Sequence, residues 1–231
     1  MIELIAFDAD DTLWHNEPFY TESKEKLKSL LSSSLDPDLV AETLDRIEIR
    51  NIEFYGYGIK SFVLSMIEAA IRLTDGQIKG SEIEKIIGFA KDMLQFNLQL
   101  FDGVEAVLAE LSSACDLMLI TKGDQFEQER KIARSGLGGY FKYVEIVGEK
   151  SPSSYLRLLG KYGLSPEGFL MIGNSLKSDV LPVLDIGGQA IYIPYHSTWA
   201  HEYLDDAVVA CYQYDEVENI SQIPEFIRRM E

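Results

Sequence analysis

Cysteine is scarce: only Cys115 and Cys211 occur in 231 residues, and they lack the spacing of a thiolate metal site. Both are expected as buried free thiols. No apolar run approaches membrane-spanning length. The start, Met1-Ile2-Glu3-Leu4-Ile5-Ala6-Phe7, reaches Asp8 before a signal peptide's apolar region could be completed. A cytoplasmic protein without a membrane partner is the expectation. Positive charge is also short, with 21 Lys and Arg against 38 Asp and Glu and a formal net charge of -17. Such a field repels nucleic acid and anionic membrane surfaces. It would equally oppose a small anionic substrate, so local cations or a bound metal must reverse the sign wherever one binds. No internal repeat or low-complexity tract is present. Neither a heptad seam nor an edge strand marks an interface, which leaves the oligomeric state open.

A chain of 231 residues can bury a large core. Short apolar runs ending in polar or glycine-containing turns alternate with stretches of helical period, the pattern of parallel strands joined by crossover helices. The strand candidates are Ile2 to Phe7, Leu117 to Ile120, Tyr143 to Val147, Phe169 to Ile172 and Ala190 to Ile193. Val104, Val107, Leu108 and Leu111 mark a helix, with Asp102 and Glu105 placed as N-cap and cap-box partner. Tyr155, Leu158, Leu159 and Tyr162 mark another. The stretch from about Trp14 to about Leu100 lacks strand-like runs and carries helical stripes instead: Phe62, Met66, Ala70 and Leu73, then Ile83, Ile87, Ala90 and Leu94. The predicted architecture is α/β: a Rossmann-like parallel sheet with helices on both faces (residues 1–13 and 101–231), plus a small all-helical cap (14–100).

Phe7-Asp8-Ala9-Asp10-Asp11-Thr12-Leu13 places three carboxylates directly after the first strand. Crowded like charges raise one another's pKa unless a cation is bound, so the segment suggests a metal site or a proton-transfer pair. An isolated Asp-x-Asp also reads as a solvated acidic turn, and the other strand ends have to decide. In doubly wound sheets ligands bind beyond the carboxyl ends of the strands. Those ends here carry Thr121-Lys122-Gly123-Asp124, Gly148-Glu149-Lys150-Ser151-Pro152 and Gly173-Asn174-Ser175-Leu176-Lys177-Ser178-Asp179. A hydroxyl, a cation, an amide and a carboxylate therefore meet the first acidic turn.

In this order the four segments resemble the signature motifs of the haloacid dehalogenase superfamily of hydrolases, and the helical insertion lies where one cap class of that family has its cap. The resemblance implies that Asp8 attacks phosphorus to form an aspartyl-phosphate, which splits one displacement into two steps. It implies that Asp10 protonates the leaving oxygen and then deprotonates the hydrolytic water. Thr121 and Lys150 would hold the phosphoryl oxygens, Lys150 also offsetting the crowded carboxylates. Mg²⁺ is the implied cofactor, with Asp8, the Asp10 carbonyl, Asn174 and Asp179 as its ligands. The implied partner is a small-molecule phosphate ester.

Two positions depart from the family pattern. Asn174 stands where a carboxylate is usual, which removes a negative ligand and should weaken metal binding unless Asp179 contributes directly or through water. Lys122 stands where Asn is more usual, and reads equally as a substrate contact or a solvated lysine. Haloacid dehalogenases proper lack the second Asp, because a halide leaving group needs no acid; retention of Asp10 favours phosphoryl transfer, with phosphatase first, phosphomutase a distant second and dehalogenase third. A domain that binds a phosphorylated ligand without turnover is the other alternative. In the insertion, Gly56-Tyr57-Gly58-Ile59-Lys60 reads as an inter-helix turn from which Tyr57 or Lys60 could reach substrate. His196 and His201, in Tyr195-His196-Ser197-Thr198-Trp199-Ala200-His201, have Glu202 as their nearest carboxylate and read as a packed loop rather than a second metal site.

Overall fold

A computed structural model describes residues 2–32, 35–196 and 199–230. The chain divides into two compact units. The first consists of the described residues of 1–15, 98–122 and 130–231, and the second of those of 16–97 and 123–129.

The first unit is built on a parallel sheet of β1 (Leu4–Phe7), β2 (Asp116–Lys122), β3 (Tyr143–Val147), β4 (Phe169–Gly173), β5 (Gln189–Tyr192) and β6 (Asp215–Glu216). Their spatial order is β3-β2-β1-β4-β5-β6. β1 is central, with Phe7 opposite Leu119 of β2 and Ile172 of β4. Because successive side chains leave a strand on opposite faces, β1 feeds two cores. Ile5 and Phe7 join Val104, Leu108 and Ile223 on one face; Leu4 and Ala6 join Tyr155, Leu159 and Val183 on the other. Strands buried on both faces read as continuous apolar runs, and this is why β1, β2, β4 and β5 were visible in the sequence; β3 was read as well, although none of its residues is fully buried. β6 is two exposed carboxylate residues paired to the edge of β5, too short and too polar to read.

In the second unit α1 (Glu17–Leu31), α2 (Pro37–Tyr55), α3 (Ile59–Leu73) and α4 (Gly80–Gln95) enclose a separate core that includes Leu27, Leu44, Ile47, Phe62, Met66 and Ile86. The Asp36 side chain accepts from the Asp38 N–H at 2.9 Å and Pro37 fills the first helical position, so α2 starts where its sequence allows. The buried stripe of α3 includes Phe62, Met66 and Ala70. On α4 the buried face is Ile86, Ala90 and Met93, one residue out of phase with the predicted stripe, and Ile87 is exposed. Four apolar residues at helical spacing fit either face, and packing selected the one with Met93.

α5 (Val104–Ser112), α6 (Gln125–Ser135), α7 (Pro152–Tyr162), α8 (Leu181–Leu184), α9 (Asp206–Val209) and α10 (Ile223–Met230) follow the strands. α6 starts in the second unit and ends in the first. The N-cap of α5 is Gly103, at φ 83°, with no side-chain cap, so Asp102 and Glu105 do not form the expected box. Glu105 instead accepts from the Tyr140 hydroxyl at 3.3 Å. Both cysteines are free thiols, but Cys115 is half-buried and Cys211 exposed, because each lies outside the strands that would have buried it. Among the described residues no helix is long and apolar enough to cross a membrane.

Candidate active site

Asp8 follows the last residue of β1, and its N–H still pairs with the Ile172 carbonyl at 2.9 Å, so the sheet fixes its backbone. The chain then turns sharply: Thr12 and Leu13 N–H both donate to the Ala9 carbonyl, and Asp11 adopts a left-handed φ of 62°. A non-glycine residue held there is strained, and such strain gathers at functional sites. The turn brings the Thr12 hydroxyl back to Asp8 Oδ2 at 3.0 Å. Thr12 Oγ1 also lies 3.2 Å from Asn174 Oδ1 and accepts from the Asn174 N–H at 3.1 Å. One hydroxyl thus ties the end of β1 to the end of β4.

Lys150, arriving from the end of β3, is buried between two carboxylates. Its Nζ donates to Asp8 Oδ1 at 2.5 Å and to Asp179 Oδ1 at 2.6 Å. The other oxygen of Asp179 accepts from the Ser175 N–H at 3.0 Å. Asp179 reaches this position because the turn Leu176–Val180 coils more widely than an α-helix and because Gly173 has no side chain. A Cβ on Gly173 would overlap the Asp179 carboxyl. Burial raises Asp8 to about 7, Asp179 and Asp10 adding to the rise and Lys150 opposing it. For Lys150 burial acts the other way but loses: Asp179 and Asp8 hold the ammonium above its ordinary value.

Asp10 is oriented differently. Its Oδ1 accepts from the Trp14 indole N–H at 2.7 Å, and Lys131 Nζ, on α6, stands 3.1 and 3.0 Å from its two oxygens. Thr121 is buried at the end of β2, its hydroxyl 3.4 Å from the Lys122 carbonyl. Lys122 is neither solvated nor open to the strand ends. It donates to Ser178 Oγ at 2.7 Å and to Glu202 Oε1 at 2.6 Å. Lys122, Ser175 and Ser178 hold Glu202 down at about 2 although burial pushes the other way.

The structure therefore brings Asp8, Lys150, Asn174 and Asp179 into one bonded set, with Asp10 in the turn after β1 and Thr121 at the end of the neighbouring β2. Sequence reasoning missed Lys131, Ser175, Ser178 and the bond from Thr12 to Asp8. A lysine on a polar helix and two serines in a turn carry no signal of their own. Glu202 was visible only as the carboxylate beside two histidines, of which His201 meets Trp199 at a tilt, ring centres 5.1 Å apart; Ser197 and Thr198 lie outside the described residues. His15 pairs through Nδ1 with the Tyr195 hydroxyl at 3.0 Å. In the second unit Lys60 pairs with Asp124 at 2.7 Å, and the Ile59 N–H donates to Glu127 at 2.8 Å.

Residues 2–187 match the family described as haloacid dehalogenase-like hydrolase. The chain belongs to that family. It is a hydrolase, with the α/β fold that its strand pattern predicted. A haloacid dehalogenase-like hydrolase from Xanthomonas campestris is similar over 99% of this chain and 91% of that one, at 39% identity and a TM-score of 0.88. The N-acylneuraminate-9-phosphatase of Mus musculus is 26% identical over 82% of this chain and 81% of its own. The 2-haloacid dehalogenase of Pseudomonas syringae shares the fold at a TM-score of 0.66 and 22% identity, with full coverage of both chains. Phosphatases and dehalogenases both occur on this architecture, so the choice between them lies in the side chains.

Proposed function

We propose that this family member is a magnesium-dependent phosphatase that hydrolyses a small-molecule phosphate monoester through an aspartyl-phosphate on Asp8. The observation that carries the reading is the buried Asp8–Lys150–Asp179 array, with Asp10 retained two residues after Asp8. Asp8 Oδ2 would attack phosphorus while Lys150 and the Thr121 hydroxyl hold the phosphoryl oxygens. Lys150 also orients the nucleophile through Oδ1. Asp10 would serve both halves of the reaction. It would donate a proton to the leaving oxygen, releasing Lys131, and then accept one from the attacking water, with Trp14 fixing its orientation.

The donor set suits a hard cation. Asp8 and Asn174 oxygens both lie within hydrogen-bond reach of Thr12, and the charged groups of the site are Asp8, Asp10, Asp179 and Glu202 against Lys122, Lys131 and Lys150. Glu149, 3.8 Å from Lys122, adds a further carboxylate, so carboxylates outnumber lysines here before an anionic ester arrives. Bound Mg²⁺ would reverse the sign and screen the nucleophile from the phosphate. Asp8, the Asp10 carbonyl and Asn174 are its proposed ligands. Asp179, whose oxygens accept from Lys150 and Ser175, would serve the ion directly or through water. Among the described residues no group of three or more His, Cys, Asp or Glu side chains is placed to hold a metal ion.

Residues 1–13 and 101–231 act in this reading as the catalytic core and 14–100 as the cap that selects the leaving group. A dehalogenase would have no use for Asp10, since a halide leaves without a proton. The test is hydrolysis of a panel of phosphorylated metabolites with and without Mg²⁺, beside Asp8→Asn. N-acylneuraminate 9-phosphate heads the panel because of the mouse relative. Magnesium-dependent turnover lost in the variant is the expected result. Phosphate binding without turnover would favour a ligand-binding domain, and release of halide from a 2-haloacid would favour the dehalogenase.

A further inference from the structure

Glu202 lies beyond residue 187, where the family match ends, yet it bonds to the strand ends that form the site. Its Oε1 accepts from Lys122 at 2.6 Å, at the end of β2. Its Oε2 accepts from the Ser178 hydroxyl at 2.6 Å and from the Ser175 hydroxyl. Ser175 caps the wide turn after β4 and Ser178 lies within it. Ser175 Oγ accepts from the Ser178 N–H at 3.0 Å, and the Ser175 carbonyl accepts from the Asp179 N–H at 2.8 Å. Asn174 precedes Ser175 and Asp179 follows Ser178, so both proposed ligand side chains of this turn are carried by the segment that Glu202 grips. Lys122 closes the clamp by donating to Ser178 Oγ at 2.7 Å as well. All four side chains are half-buried or buried, and every charged atom of the clamp has a partner.

We propose that Glu202 is a positioning residue that sets the spacing of Asn174 and Asp179 and so the affinity of the site for a divalent cation. The inference deepens the reading of the site as a magnesium-dependent phosphatase and rests on it. It also assigns Lys122: the lysine in the usual asparagine position holds the clamp and does not contact substrate. A carboxylate from the C-terminal segment thereby offsets a metal turn in which Asn174 has replaced a charged ligand. Partners one shell out from metal ligands commonly govern affinity by about 10- to 100-fold.

The test uses the full chain with Glu202→Ala, and Ser178→Ala as the milder variant should the first fail to fold. Mg²⁺ binding by calorimetry is expected to weaken about tenfold in Glu202→Ala and less in Ser178→Ala. Turnover at saturating Mg²⁺ should change far less than the Mg²⁺ concentration that half-activates the enzyme. Amide hydrogen exchange in metal-free protein should speed up at residues 175–180 and not in β1 or β4. Unchanged Mg²⁺ affinity with unchanged exchange at 175–180 would overturn the proposal. So would uniformly faster exchange throughout the sheet, which marks a residue that only supports the fold. If the wild type binds no Mg²⁺, the cofactor assignment fails; local protection of 175–180 lost in both variants would then still support the grip of Glu202 on the turn.

Discussion

Lys150 illustrates what single residues decide here, because its side chain is only 1% exposed and it separates Asp8 from Asp179 at 2.5 and 2.6 Å. Removing one partner of a buried charge array leaves the others uncompensated, at a cost of about 3–5 kcal/mol. Lys150→Met is therefore expected to lower the unfolding free energy by about that amount in metal-free protein, and Lys150→Met with Asp179→Asn to recover part of it. Denaturant titration of the three proteins checks this; equal stability of single and double variants would contradict it. Asn174 gives the opposite kind of prediction. Asn174→Asp adds a charged oxygen where the family usually has one, and is expected to tighten Mg²⁺ binding by roughly tenfold or more, read by calorimetry. At this scale the sequence was legible where chemistry is crowded. Asp8 and Asp10 stood out as carboxylates after an apolar strand, and Lys150, Asn174 and Asp179 as polar residues ending strands. Lys131 and Thr12 did not, because each looks ordinary in its own segment and acquires meaning only through a partner brought in by the sheet or the turn.

Among the elements, the helices of the second unit hold a buried carboxylate outside the site. Glu48, on α2, is 6% exposed, and burial raises it to about 7 although Lys24, 3.5 Å away, opposes the rise. Asp45 shares Lys24 at 2.8 Å and adds to the effect. The folded state therefore keeps its proton to a higher pH than the unfolded chain, whose carboxyl titrates near 4.5. Between those values the folded state binds more protons, so this contribution to stability is present at low pH and lost as pH rises through about 7. Glu48→Gln is expected to stabilise the protein by about 1–3 kcal/mol at pH 8 and to leave it nearly unchanged at pH 4. Thermal melts at the two pH values decide it, and a gain confined to acid would contradict the account. The sequence conveyed the helices of this unit through their periodicity, but not which of two overlapping stripes α4 would bury, nor that residues 123–129 would group with them. Periodicity reports that a face is apolar; only the neighbouring helices fix which one is covered.

For the whole molecule, the balance of charge is the constraint under which the site works. A net charge of -17 repels an anionic ester over a distance that salt shortens to about 10 Å at 0.1 M. At saturating Mg²⁺, kcat/KM for a dianionic substrate is expected to rise a few-fold between roughly 10 and 150 mM salt, where a basic enzyme would show a fall. Fold class was readable at this scale because strands buried on both faces leave long apolar signatures, while the two-residue β6 and the grip of Glu202 depend on contacts distant in sequence. The chemistry turns on the covalent role of Asp8, and rapid quenching of a single turnover followed by peptide mapping tests that role. With Mg²⁺ and a hydrolysed phosphate ester, a transient phosphoryl group is expected on the peptide carrying Asp8 and absent in Asp8→Asn. Rapid hydrolysis with no phosphorylated peptide at any quench time, or turnover that survives Asp8→Asn, would contradict it.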